Sequence, residues 1–166
     1  MNKFFFLFFM LAFLAMPAYS LSYDYSSTKK LPIKLKIINE ISTKMPIVEG
    51  EQVKFRVVDD VYYKNVLIVK KNTIVPARIE MIITRGMNGF PAEIIIDNFE
   101  IPNVRQSQLL GTYIKTGQNR SLLVYPIKWA LTWLPGVGSF TNFIKGGHAY
   151  IKPKSVITLY YYPEWK

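Results

Sequence analysis

The 166-residue chain contains no cysteine and a single histidine, His148. The first absence removes disulfides, thiol nucleophiles and lipid attachment at a cysteine; together they remove zinc sites built from several His or Cys and paired haem ligands. No G-x-S-x-G elbow accompanies His148, and neither Gly136-Val137-Gly138 nor Gly146-Gly147 is followed by a Walker lysine. The adjacent acids Asp59-Asp60 lack the alternating pattern of a calcium loop, and on a strand neighbouring side chains point to opposite faces. Basic residues come as doublets such as Lys29-Lys30 and Lys70-Lys71, without a basic run interleaved with aromatics, so nucleic acid is not an expected partner. No catalytic residue, cofactor or metal is therefore expected. His148 reads as a turn residue, Asp59-Asp60 as a solvated or hydrogen-bonded turn, and the glycine groups as hinges around an apolar segment. The acids Glu80, Glu93, Asp97 and Glu100 form a catalytic pair only if the fold brings two of them together.

The one long apolar run stands at the N-terminus. Met1-Asn2-Lys3 precedes thirteen unbroken apolar residues, Phe4 to Met16, and Ala18-Tyr19-Ser20 places small residues at positions −3 and −1 of a cut after Ser20. That is the layout of a cleavable signal peptide. Thirteen residues give about 20 Å of helix, short of a ~30 Å hydrocarbon core. Residues 1–20 are thus expected to be a leader, and the mature chain to run from Leu21 to the C-terminus in the periplasm or cell envelope. Loss of Lys3 lowers the formal net charge from +10 to +9. An exported chain of that sign suits anionic lipid, lipopolysaccharide or an acidic envelope protein.

After a Tyr/Ser-rich lead-in over residues 21–31, the pattern has period 2. Ile33-Lys34-Leu35-Lys36-Ile37 and Gln52-Val53-Lys54-Phe55-Arg56-Val57 each alternate apolar with polar or basic residues, the mark of strands with one wet face. Residues 38–41 are a candidate extension of the first. Lys64-Asn65 and Lys70-Lys71-Asn72 read as turns around Val66 to Val69, a run suited to a buried strand. Residues 73–83 read as a strand in which Pro76 implies a bulge or an edge. Further strands are expected over 93–99, 109–115, 149–151 and 156–162. Short strands about ten residues apart predict a mainly β domain over 32–166, an antiparallel sandwich or small barrel.

Leu122 to Phe143 breaks that rhythm. Tyr125, Trp129, Trp133, Phe140 and Phe143 stand among apolar neighbours with Lys128 as the one charge. Pro126, Pro135 and two glycines argue against a single long helix, leaving residues 127–134 as one short helical insert with Trp129 and Trp133 four apart. Trp and Tyr favour membrane–water interfaces, so these six residues are the candidate membrane or partner contact; capping of the barrel core is the other reading.

The stretch Gly50 to Val61, followed by Val66-Leu67-Ile68-Val69-Lys70-Lys71-Asn72-Thr73-Ile74-Val75, resembles exported bacterial envelope β-domains, distantly including the β-domain of TrbI-like type IV secretion channel subunits. There a strand ending in an Asp-Val step leads through an Ile-Pro-x-Gly-Thr turn to another strand. In this chain Asn72 takes the place of the turn glycine and Val69 that of the proline. The resemblance implies a β-domain in the envelope. The expected function is a structural or binding role, presenting a basic and aromatic surface to an envelope component. The alternative is a small hydrolase or transferase acting on envelope glycan or lipid, marked by a cleft with two converging carboxylates. N-terminal sequencing of the exported form checks the leader: Leu21 is the expected first residue, and recovery of Met1 or Asn2 from membranes means an anchor.

Overall fold

The computed structural model describes residues 29–131, 133 and 137–164. Residues 1–28, which hold the expected leader and most of the expected lead-in, and Trp165 lie outside the described residues.

The two alternating segments form the centre of the fold. β1 (Leu31–Ile37) runs antiparallel to β3 (Gln52–Val57), with Leu35 opposite Val57 and Ile37 opposite Phe55. Ile33, Leu35, Ile37, Val53, Phe55 and Val57 are buried, whereas Lys34, Lys54 and Arg56 are exposed. Period 2 demands this division, because a slip of one residue would turn every apolar side chain outward. The Phe55 ring packs against Phe99 at 5.3 Å between centroids, tilted by 59°.

On one side β3 pairs with β6 (Ile74–Ile83), and β6 with β7 (Glu93–Asp97). Pro76 sits opposite Lys54. Val57 N–H donates to Thr73 O at 2.9 Å, so alternation along the ladder puts Lys54 and Pro76 in a non-hydrogen-bonded pair. The missing donor then faces β7, whose ladder begins only at Arg78 opposite Asp97; there the Pro76 carbonyl accepts from Glu100 N–H instead. A bulge between Ile79 and Met81 resets the alternation, leaving Met81 and Ile83 exposed and Ile82 against the core.

On the other side β1 pairs with β11 (Val156–Tyr161), Leu31 lying opposite Tyr161. Leu31 is therefore the first residue of the sheet and not part of a lead-in. The remaining strand expected over 109–115 is two pieces, β8 (Leu109–Leu110) and β9 (Tyr113–Thr116). β8 pairs with β11 and β9 with β7. The seven-stranded order is β8-β11-β1-β3-β6-β7-β9, so the two rims of the sheet belong to consecutive strands separated by Gly111 and Thr112. The sheet is accordingly curled into an antiparallel half-barrel. Gly111 has φ +145°, and a Cβ there would stand 2.8 Å from Leu159 Cδ2.

Several expectations are corrected by this arrangement. Residues 38–40 do not extend β1; β2 (Ile41–Ser42) forms a separate ladder with β10 (Tyr150–Ile151). The Val66 to Val69 run is not a buried strand. β4 (Val61–Tyr63) and β5 (Val66–Val69) form a hairpin outside the main sheet, and only Val69 of β5 is buried. Its two-residue turn, Lys64-Asn65, has positive φ at both positions, the primed geometry that matches strand twist. Strand β7 stops at Asp97, and Phe99 enters the core from the following loop.

Phe55→Ala is expected to destabilise the domain by about 3–5 kcal/mol, because it empties the centre of this core. Lys54→Ala is expected to change stability by less than about 0.5 kcal/mol. Chemical denaturation of both variants is the check; equal losses would contradict the inward and outward assignment.

Candidate functional site

The helix begins earlier than its composition suggests. α1 spans Ser121–Leu131 and runs through Pro126. Asn119 Oδ1 accepts from the Ser121 amide at 2.9 Å and from its hydroxyl at 2.6 Å, and Arg120 O accepts from Leu123 N–H. This capping starts the helix ahead of the proline. Pro126 removes the bond to the Leu122 carbonyl, which lies on an exposed turn open to solvent. The helix ends at Leu131, so Trp133 stands in the turn beyond it and the expected helical pairing with Trp129 is not formed. A 3-10 helix over Val137–Phe143 returns alongside.

Only Ser121 and Val124 of α1 are buried, with Thr141 from the returning arm. Every candidate aromatic is exposed: Tyr125 61%, Trp129 78%, Trp133 85%, Phe140 62% and Phe143 78%. The structure thus keeps these side chains out of the core, and Phe140 and Phe143 are close to each other at 6.4 Å between centroids. No helix among the described residues is long and apolar enough to cross a membrane.

The helical hairpin formed by α1 and the returning 3-10 helix is fixed at its root by a seam of three loops. Arg120 N–H donates to Gly89 O, Gly89 N–H to Ile144 O, Gly146 N–H to Gly86 O, and Gly147 N–H to Gln118 O. A Cβ on Gly146 would lie 2.0 Å from Phe90 O, and one on Gly147 2.7 Å from Gln118 N. Gly146-Gly147 is therefore a close-packed backbone crossing and not a hinge, because both amides are engaged and no side chain fits. Gly136 lies outside the described residues.

Beside this seam opens a cleft of about 750 Å³. Lys44 reaches it from just after β2, Arg85 from just after β6, Arg120 from the entry to α1, and His148 from just before β10. The carboxylate on its lining is Glu40. Among the described residues, none of the three cations is salt-bridged to an acid. Desolvation, then the neighbouring Glu40 carboxylate, push the Tyr150 phenol above its ordinary value. His148 Nδ1 lies 3.1 Å from Thr43 Oγ1, which also accepts Ala149 N–H at 3.1 Å. That hydroxyl clamps β2 to β10 rather than standing free as a nucleophile. Desolvation, then the charges of Arg85 and Lys44, hold the imidazole below its usual 6.5. His148 is thus part of a charged cleft, a role its sequence neighbourhood of glycines does not reveal.

Among the described residues the other acids stay apart from the cleft. Asp60 caps the following turn by accepting Lys71 N–H, as a hydrogen-bonded turn acid does. Glu80 accepts from Asn98, Asp97 from Thr112, and Glu93 from Thr116, bonds made on or beside strands β6, β7 and β9. Among the described residues no three His, Asp or Glu form a metal-holding group. The sequence matches no protein-family model, and no curated protein is similar to it.

As the chain's sole histidine, His148 reports on the cleft alone. Its ring, followed by proton NMR, is expected to titrate below 6.5, and Arg85→Gln to move the midpoint back toward that value. The sign follows from linkage. A depressed folded-state value means that the neutral ring's contribution is complete above the unfolded value and is lost as pH falls below it. A midpoint at or above 6.5, or one unmoved by Arg85→Gln, would contradict the assigned causes.

Proposed function

We propose that this chain is a non-catalytic exported envelope domain that docks on an anionic membrane surface through the α1 hairpin. One observation carries the reading: an apolar hairpin, anchored at its root by hydrogen-bonded loops, holds five aromatic side chains in solvent. Leu122, Leu123 and Ile127 extend the same surface. Contiguous exposed apolar surface of this kind is stable in water only as a contact surface. Between Ser121 and Phe143 Lys128 is the one charged residue, so insertion desolvates little charge. Its aliphatic stem suits a position where the ammonium reaches back toward headgroups. Trp and Tyr supply the amphipathic rings that settle at the boundary between headgroup and acyl chain. The positive mature chain adds a long-range attraction that weakens with salt. A leader of the kind expected over residues 1–20 would put such a membrane on the far side of export.

Tryptophan emission tests this. With Trp165 replaced by Phe, only Trp129 and Trp133 report. The purified mature protein is expected to emit as exposed indole in buffer and to shift to the blue with vesicles containing phosphatidylglycerol, less so at high salt. Emission already blue in buffer and indifferent to vesicles would show the rings packed against protein instead.

A further inference from the structure

The cleft and the hairpin share a wall. Arg120 lines the cleft and immediately precedes the first residue of α1, while Gly146 lines it three residues after Phe143. We infer that the cleft at the root of the hairpin binds the phosphate of an anionic lipid headgroup, an assignment that rests on the hairpin entering the membrane.

Three features of the site carry it. First, its cations come from separate segments: Lys44, Arg85 and Arg120 converge although at least 35 positions divide each from the next. Chance surface charge does not need a seam of engaged glycines to hold it, whereas this arrangement fixes Arg85, Arg120 and His148 through the bonds at Gly86, Gly89 and Gly147. Second, the lining sets three cations, Lys44, Arg85 and Arg120, against one carboxylate, Glu40, so the cleft presents a net positive charge to an anion. The backbone amides of Gly146 and Gly147 are already used, which leaves the grip to the side chains. Guanidinium pairs suit phosphate, whose oxygens accept two parallel N–H bonds. Third, the cleft is continuous with the hairpin: Arg120 and Gly146, which line it, flank the segment that carries the exposed aromatics.

His148 gives the site a reporter. Arg85 and Lys44 act on its ring, and Arg120, Glu40 and Tyr150 are the other charged or titratable groups on the cleft lining. A phosphate among them offsets the repulsion from Arg85 and Lys44, so binding raises the ring's midpoint and tightens as pH falls through it.

The experiment uses the mature protein and two probes, glycerol 1-phosphate in solution and vesicles of phosphatidylcholine with or without phosphatidylglycerol. Three variants, each checked for cooperative unfolding, are compared: Arg85→Gln with Arg120→Gln in the cleft, Lys70→Gln with Lys71→Gln as an equal loss of charge elsewhere, and Trp129→Ala with Trp133→Ala in the hairpin. The cleft variant is expected to bind phosphatidylglycerol vesicles at least roughly tenfold more weakly than the charge control, and to lose the His148 shift with glycerol phosphate. The hairpin variant is expected to lose the vesicles and keep that shift. Equal weakening by the cleft and control variants would overturn the cleft assignment and leave the hairpin reading standing. A His148 shift with glycerol phosphate but no vesicle binding by the unmodified protein would overturn both the lipid source and the membrane reading, making the ligand a soluble phosphate.

Discussion

The close approach of Gly111 to β11 is the constraint on which the architecture depends. The strand that begins at Leu109 pairs with β11, crosses at Gly111, and continues as β9 along β7. One covalent stretch therefore holds both rims of a seven-stranded sheet, and the sheet has to curl. At φ +145° an L side chain is strained, and here it would also strike Leu159. Glycine alone meets both conditions. The curl wraps Phe55, Ile94, Ile96 and their neighbours into one core without a disulfide. It also brings the loops after β6, after β9 and before β10 to one end, where the glycine seam joins them. The cleft and the hairpin are both products of that gathering.

How much of this was legible in the sequence differs by element. Ile33 to Ile37 and Val53 to Val57 are readable because local alternation and global burial agree. Val66 to Val69 is not. A β-branched run marks strand conformation but says nothing about which layer covers it, and this hairpin is left with little cover. Pro76 was readable as a constraint yet sits in an interior strand, because a non-hydrogen-bonded slot beside a ladder that has not yet begun tolerates it. Pro126 misleads in the other direction. Its cost falls on an exposed carbonyl, and the Asn119 cap upstream has already set the helix going.

The cleft was the least legible part. Lys44, Arg85, Arg120 and His148 carry no mutual spacing, since loops from four places in the chain supply them. The glycines that fix them look like hinges in a sequence, where a backbone crossing and a flexible joint have the same composition. The aromatic segment lay at the opposite extreme: its content was plain, and what the sequence left open was whether it faced the core. The exposure of Trp129 and Trp133 answers that for the isolated chain.

The nearness of the two surfaces has an energetic logic. Burial of the hairpin's apolar side chains is non-directional and depends on area, so it sets depth without choosing among lipids. A cluster of cations has the converse property: in open solvent its attraction is screened within about 10 Å at moderate salt, yet close contact selects sharply for charge and shape. Joined at a rigid root, each supplies what the other lacks. On the proposed reading, insertion would raise the local concentration of headgroups at the cleft, and the cleft would turn a general apolar affinity into a preference for phosphate. A flexible joint at Gly146-Gly147 would uncouple the two by letting the hairpin insert at any angle to the cleft. The engaged amides of those glycines oppose this, and so under the proposed reading the seam, rather than either surface alone, would make the pair act together.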